Sequence, residues 1–333
     1  MSPAAVVPVG HMDMLPARKA VASGLSEQVA ELGASGKAAP AYDYVGSIQK
    51  HAQLSDMEKQ SLLWVLAQSP CFHRLIQPAD IGGHAMPDWV KCTGSGMLGI
   101  QTARQDPVAP ERVYKMRGIA EIPASTEVTY ELVTEFEQMQ KWDKMLLNLQ
   151  VLERSPKQYP ILRIGTFINT YGVPGMSWLF NEREFCCRGV AAHFPDGTRA
   201  LAVYTPPEAH PNDKGVGKPR TIRAHMGVSG YVVSPYADGA RQHLGDDKCQ
   251  ITMVLQVDPM GSVPLPVYNA VSMMMPMNLQ RVKTAAAKLK PEEKAAMLQR
   301  QLQHVAASKA EVAAASGKGG KGSKGSKGSN KTK

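Results

Sequence analysis

Segments in which apolar and polar residues alternate with a two-residue period begin near residue 89 and recur up to about residue 258, which predicts a β-rich region. The alternation is clearest in the last candidate strand, whose apolar face consists of Ile251, Met253, Leu255 and Val257. The candidate strands lie at 89–93, 97–103, 112–121, 148–154, 160–171, 183–194, 198–205, 220–234 and 248–258. The pattern therefore predicts an antiparallel sheet of about nine strands.

Two shorter segments have the apolar spacing of helices. Residues 55–68 follow Ser55, which can cap a helix, and Glu58 completes a capping box with it. Residues 125–140 lie between the third and fourth candidate strands and also begin at a capping residue. The predicted order is thus helix, three strands, helix and six strands.

A long amphipathic segment, 264–289, follows the last strand. Its apolar stripe consists of Tyr268, Val271, Met275, Leu279, Val282, Ala286 and Leu289. Pro276 removes one backbone hydrogen bond, so we expect a kink near Ser272. A sheet of nine strands curls, and only this helix is long enough to cover its concave face. Since aromatic residues make up only 6% of the chain, complete filling beneath the helix is difficult, and the pattern favours a cavity.

The rest of the chain frames this region. A last helix at about 291–313 has a weak apolar stripe (Leu298, Leu302 and Val305), which predicts a solvated extension. The predicted organisation is a mostly disordered extension at 1–54, a helical lead-in at 55–84, the main domain at 85–290, a helical extension at 291–316 and a disordered Lys/Gly/Ser tail at 317–333.

The net charge of +9 is concentrated at the C-terminus, where residues 317–333 contain six lysines and no acid. The remainder carries only +3, so no basic face is expected on the main domain. A flexible lysine tail suits anionic lipid surfaces, at about 1 kcal/mol per lysine. Weak binding to nucleic acid, or a scaffold role, is the alternative; no aromatic residues interleave the lysines for base stacking, so we expect no specific nucleic acid partner.

Cysteine usage and segment hydropathy indicate the compartment. The five cysteines are odd in number and lack zinc-site spacing, which predicts no disulfide framework, no metal site and a reducing, cytoplasmic setting. No apolar run is long enough to span a membrane, and the N-terminus lacks the layout of a secretory signal. An organelle transit peptide stays open, because residues 1–40 hold only three acids.

Three segments, in order and at matching spacing, resemble one known family. VYKMRGIAEIPASTEVTYELVTEFEQMQKWDKML ends near the pair Trp142-Asp143, and NEREFCCRGV carries Arg183-Glu184-Phe185. The final segment, from Cys249 onward, has a pattern consisting of Asp258, Pro259, Gly261, Pro264, Pro266, Asn269 and Pro276. Over about 85–290 the chain resembles the START (steroidogenic-acute-regulatory-related lipid-transfer) domain.

The resemblance implies an α+β helix-grip fold, with a curved antiparallel sheet wrapped around a long C-terminal helix. It also implies an internal tunnel that holds one lipid, gated by that helix, and a role in lipid transfer or sensing without catalysis or cofactor. Partners would be the lipid and, transiently, an anionic membrane surface, with the protein a monomer. The methionines at 273–275 and 277 suit a moving helix because they repack easily.

The residues expected to contact lipid are Tyr171, Arg183, Phe185, Ile251, Met253, Leu255, Val271, Met275 and Leu279. Arg183 is the first candidate for the polar head, with a structural salt bridge as the alternative. His225 lies out of phase with its apolar neighbours, so we expect it to be exposed. The acid–arginine pair of sterol-binding members has no counterpart at Thr170, Tyr171 or Gly189, and Arg188 is expected on the other side of the sheet.

An enzyme on the same fold is the alternative function. No nucleophile elbow, P-loop, dinucleotide fingerprint or HExxH motif occurs in the sequence. Catalysis would therefore need a convergent acid or base inside the cavity. The candidates are His193, His225 and Asp143.

Overall fold

The computed structural model describes residues 42–72, 75–83, 88–92, 95–107, 111–154, 161–172, 181–216, 219–237, 242–245, 247–264 and 275–317, together with Pro266, Tyr268 and Ser272. Only the backbone is described for residues 97, 161–164, 242, 304, 305 and 307–317. Most of the predicted N-terminal extension and nearly all of the lysine tail lie outside the described residues.

The described helices are α1 (Tyr44–Gln49), α2 (Asp56–Ala67), α3 (Thr126–Thr134), α4 (Phe136–Trp142), α5 (Asn278–Lys288) and α6 (Pro291–Gly317). Short 3-10 turns span Pro78–Ile81, Met97–Gly99 and Met275–Met277. Helix α2 begins as predicted: the Glu58 N–H donates to Ser55 Oγ at 3.3 Å, and the Ser55 N–H donates to Glu58 Oε2 at 2.8 Å. This reciprocal capping box satisfies two backbone donors that the first helical turn leaves unpaired.

The strands are β1 (Val90–Lys91), β2 (Ile100–Gln105), β3 (Lys115–Ile122), β4 (Leu146–Glu153), β5 (Ile161–Tyr171), β6 (Glu182–His193), β7 (Arg199–Tyr204), β8 (Thr221–Arg223), β9 (His225–Met226), β10 (Ser229–Ser234), β11 (Tyr236–Ala237), β12 (Gln242–His243), β13 (Cys249–Leu255) and β14 (Val257–Asp258). The main sheet runs β1-β2-β3-β13-β10-β7-β6-β5-β4, antiparallel throughout, and β8 pairs in parallel with β6. The predicted α+β fold with a path of about nine antiparallel strands is confirmed.

Helices cover both faces of this sheet. We call the face under α3 and α5 the inner face, and the face under α2 the outer face. On the outer face α2 packs against β7, β10 and β6 and fully buries Leu62 and Leu66. The Glu58 carboxylate, which is 1% exposed, lies 3.0 Å from the Arg188 Nε. This ion pair ties α2 to β6, and it confirms that Arg188 points away from the inner face.

On the inner face, the C-terminal helix and the turn before it lie directly on β3. A Cβ atom placed on Gly118 would lie 2.9 Å from the Pro276 Cβ and 3.0 Å from the Leu279 Cδ1. Real Cβ atoms almost never approach that closely, so the contact needs glycine at this position. Pro276, the residue expected to cause a kink near Ser272, lies in the 3-10 turn that precedes α5.

Two predicted elements are interrupted. The strand predicted at 220–234 is divided into β8, β9 and β10, because β9 leaves the main sheet to pair with β14. At the break, a Cβ on Gly227 would lie 2.3 Å from Gln256 Oε1. The helix predicted at 125–140 is divided at Glu135, whose backbone is extended. The chain turns there, and the Trp142 indole N–H donates to the Leu132 carbonyl at 2.8 Å.

Within the segment expected to be mostly disordered, residues Tyr44–Gln49 form α1, which buries Tyr44 and Ile48. One further expectation is wrong in the described part of the chain. Helix α6 is not a solvated extension, because Met297 and Gln301 are buried against α3 and Arg300 forms an ion pair with Glu131. The stripe predicted for this helix is the exposed side, as Leu298 and Leu302 are 38% and 46% exposed.

Candidate functional site

The inner face carries two apolar clusters. The larger lies beneath α3, α5 and α6 and includes the fully buried Ile251 and Leu279. The smaller is formed by Phe185, Cys187, Ala224 and Met226, with Phe167, Tyr171, Val203 and Val257 packed against it. Val203 packs against both clusters. The part of the inner face around Val203, which we call the strip, therefore lies between the two clusters. We call the smaller cluster, with its aromatic residues Phe167, Tyr171 and Phe185, the aromatic wall.

Strand register explains which side chains share this strip. Directly opposed residues of antiparallel strands point to the same side of a sheet. Phe167 pairs with Cys187, Asn169 with Phe185, and Tyr171 with Arg183. Further along the sheet, Val203 pairs with Ser229 and Leu201 with Tyr231, which in turn pairs with Met253. The Tyr171 and Phe185 rings meet edge to face, with their centroids 5.8 Å apart.

Side chains along the strip keep accessible surface although they lie on a face that helices cover. The half-buried apolar and aromatic members are Phe167, Tyr171, Val203, Tyr231 and Leu255. At the β4 edge the row ends at Val151, which pairs with Phe167 and is 41% exposed. In a close-packed core such side chains would be fully buried. The strip is therefore less completely packed than the core under α5.

Three ionisable groups of this region interact with one another. Burial raises the pKa of the Asp143 carboxyl, an effect partly offset by the Met145 N–H that donates to it at 3.0 Å. Burial also raises the pKa of the Tyr171 hydroxyl well above its normal value, and the nearby charge of Asp143 raises it further. Tyr231 is shifted in the same direction by the same two causes. Neither tyrosine hydroxyl has a hydrogen-bond partner among the described residues.

Asn169 adds an unsatisfied polar atom to the same face. Its side chain is 7% exposed, and its Oδ1 is buried without a hydrogen-bond partner within the described segments. Leaving a buried amide oxygen unpaired costs roughly 1–3 kcal/mol. A ligand or a water molecule that donates to this oxygen would remove that cost.

Arg183 lies at the end of the aromatic wall and is occupied by backbone carbonyls. Its Nε donates to the Pro259 carbonyl at 2.7 Å, and a terminal nitrogen donates to the Asn181 carbonyl at 2.6 Å. Partial burial lowers the pKa of the guanidinium. The arginine thus ties β6 to the turn after β14, and that turn is the one that the sequence analysis matched to the family pattern.

Comparison with known proteins identifies the family. The model of the START domain family matches residues 82–293, well over half of the chain. This chain belongs to the START domain family. START domains are known for lipid binding and transfer. Comparison with curated protein sequences gives no significant match.

Several solved structures are similar to this chain. Human STARD10 is 21% identical with a TM-score of 0.50, over 64% of this chain and 78% of that one. The human StarD13 lipid transfer and protein localization domain is 16% identical with a TM-score of 0.49, over 61% and 91% of the two chains. Human StAR-related lipid transfer protein 5 is 17% identical with a TM-score of 0.48, over 69% and 98%.

The START domain brings most of the predicted contact residues to one face. Phe185, Ile251, Met253 and Leu279 are buried on the inner face, whereas Tyr171, Leu255 and Met275 are half-buried. Val271 lies outside the described residues. Sequence reasoning missed Asn169 and Tyr231 as polar candidates. Their alternation with apolar neighbours places them on the inner face, and that phase was the available signal.

The groups considered for catalysis are not assembled within the described START domain. His225 is exposed, as predicted. His193 is 3% exposed and meets the Tyr130 ring at a centroid distance of 5.0 Å. Asp143 interacts with Tyr171, Tyr231 and Arg281 and with neither histidine. Among the described residues no group of three or more acids, histidines or cysteines could hold a metal ion, and no helix is long and apolar enough to span a bilayer.

Proposed function

We propose that this START domain binds one lipid, with the apolar part of the lipid lying along the strip between the two inner-face clusters. The observation that carries the proposal is the accessible surface that the side chains of Tyr171 and Tyr231 retain. Both side chains keep accessible surface although they lie on the face of the sheet that helices cover, and burial raises the pKa of both hydroxyls. A side chain on a covered face retains such surface where it lines an internal space.

The chemistry of the strip fits a lipid better than a polar metabolite. Its walls are aromatic and aliphatic, and each buried methylene of a ligand contributes roughly 0.8 kcal/mol. The few polar groups are Asp143, Tyr171 and Tyr231, which interact with one another, and Asn169 on the same face of the sheet. A small number of orienting groups in apolar surroundings is the usual layout of a pocket for an apolar ligand. We assign the polar head to these groups, with Arg183 held at the rim by its carbonyl partners.

The same contacts limit the part of the C-terminal helix that acts as a gate. Leu279, Val282 and Ala286 of α5 are fully buried in the larger cluster. Met275 and Met277 are half-buried, and they lie in the 3-10 turn before α5. We therefore place the moving part before Asn278, with α5 as its fixed end.

Native mass spectrometry of the purified full chain, followed by lipid extraction, tests the proposal. We expect a protein–lipid complex of one-to-one stoichiometry, either as purified or after incubation with phospholipid vesicles. A protein that stays empty and takes up no lipid from vesicles would contradict the proposed function.

The environment of Asp143 leads to a prediction about pH. Because its folded pKa is raised, the native state binds more protons, and stability is lost as pH rises through that pKa. Asp143→Asn should therefore match the wild type at low pH and be relatively more stable above the raised pKa. Unfolding free energies measured by denaturant titration across pH check this, with exposed Asp88→Asn as the control. A stability difference that does not vary with pH would reject it.

We further propose that the lysine tail sets the affinity for membranes. Replacing its six lysines by glutamine, which keeps the length, should reduce cosedimentation with vesicles of phosphatidylcholine and phosphatidylserine and remove most of its salt dependence. Deleting residues 317–333 should have the same effect, and replacing the lysines by arginine should have little. Unchanged sedimentation of the glutamine variant would show that the tail does not act in this way.

A further inference from the structure

A cleft of about 500 Å³ opens on the outer face, on the side of the sheet opposite the lipid strip. Its lining includes Trp89, which precedes β1, together with Lys91 of β1, Ala103 of β2 and Arg117 of β3. This volume lies within the roughly 300–1,000 Å³ of small-molecule sites. None of these residues belongs to the inner-face clusters.

Strand register places two cations on either side of a small residue. Lys91 pairs with Ala103, and Ala103 pairs with Arg117, so the three side chains form one row across three strands. With strands about 4.8 Å apart, the backbones that carry the two cations are roughly 10 Å from each other. Since the central residue is alanine, the space between the two cationic side chains is left open.

Arg117 is held in place while most of its donors remain free. Its guanidinium lies over the Trp89 ring, 4.7 Å from the centroid, and one terminal nitrogen donates to the Gln68 carbonyl at 3.3 Å. The Trp89 indole N–H in turn donates to Gln68 Oε1 at 3.1 Å. A guanidinium has five N–H donors. Four are thus left without a protein acceptor in the described part of the chain.

No carboxylate of the described residues forms an ion pair with either cation. Burial lowers the pKa of Arg117 to about 10, which leaves it charged at neutral pH but without a compensating anion. A desolvated cation of this kind is stabilised when an oxyanion binds. On the same sheet the exposed Lys248 is paired with Glu121 at 3.4 Å. The cleft therefore differs from ordinary charged surface on this face.

We propose that the cleft binds a phosphate-type oxyanion, with Arg117 as the forked donor and Lys91 as the second charge. Arginine matches two phosphate oxygens at once, whereas lysine acts as a point charge. The phosphate can belong to a soluble ester or to the head of a membrane phospholipid, since both present the same oxygens.

Titration of the full chain with inorganic pyrophosphate, followed by the NMR signal of the Trp89 indole N–H, tests the site. We expect a saturable shift, with an apparent affinity weakened about tenfold by Lys91→Gln and changed little by the control Lys248→Gln. Arg117→Lys retains the charge but loses the fork, so it should also weaken binding. Trp89→Phe assigns the signal.

A second arm uses vesicles of phosphatidylcholine with phosphatidic acid, against vesicles of phosphatidylcholine alone. A Trp89 response to these vesicles but not to pyrophosphate, again reduced by Lys91→Gln, would support the site with a lipid head as the source. If neither probe shifts the signal, or if Lys91→Gln and Lys248→Gln respond alike in both arms, the proposal is overturned. Because the cleft and the lipid strip are on opposite faces, failure here leaves the proposed lipid binding intact.

Discussion

Val203→Trp is expected to raise the dissociation constant for lipid by roughly tenfold, or about 1.4 kcal/mol of binding free energy, while the protein stays folded. Val203 is half-buried and packs against both inner-face clusters. An indole at this position would extend into the space that we assign to the apolar part of the lipid. Native mass spectrometry after incubation with vesicles gives the bound fraction, and thermal unfolding shows whether the fold is retained.

The stability of the Val203→Trp variant shows whether the strip is open or solidly packed. If the strip were solid, the added bulk would destabilise the protein by about 1–3 kcal/mol, as overpacking does in cores. Val90→Trp is the matched control, because Val90 is 49% exposed on the short edge strand β1. A Val203→Trp protein that loads lipid as the wild type does would place the lipid elsewhere.

Leu279→Ala is expected to lower the free energy of unfolding by about 2–5 kcal/mol, because Leu279 is fully buried in the larger cluster. Leu302→Ala is the matched control on the neighbouring helix α6, where the side chain is 46% exposed, and it should change stability by less than about 0.5 kcal/mol. Denaturant unfolding measures both. A small effect at Leu279 would mean that α5 is loosely held.

That result also bears on the gate. If α5 is fixed, its amides should show the same hydrogen-exchange protection with and without lipid, while the segment before Asn278 becomes more protected when lipid binds. Exchange that changes equally across Asn278–Lys288 would indicate that the whole helix moves. The two readouts are independent, since one measures the energy of the anchor and the other its movement.

Local sequence predicted the features that depend on neighbouring residues. The capping box of Ser55 and Glu58, the alternation along β13 and the apolar face of α5 all depend on residues close in sequence. The family resemblance rested on short motifs, and the family match confirms it. These signals were enough to establish the fold class.

The remainder depends on distant partners. Helix α6 carries only a weak apolar stripe, yet Arg300 pairs with Glu131, which lies 169 residues earlier. No glycine or proline marks the break at Glu135 in the sequence. The turn there is stabilised instead by Trp142, whose indole N–H donates to the Leu132 carbonyl of α3. The polar groups of the site had no motif either: Tyr171 and Tyr231 are far apart in sequence, and both interact with Asp143 only because of the tertiary fold.

Helix α2 lies outside the stretch that the family model matches, yet its ion pair with Arg188 supports β6 from behind. The residue before Arg188, Cys187, points to the inner face, where it forms part of the smaller apolar cluster together with Phe185. The rigidity of the aromatic wall is thus set in part by residues that family comparisons leave out. Two members with the same matched region but different preceding helices would accommodate bulky guests to different degrees.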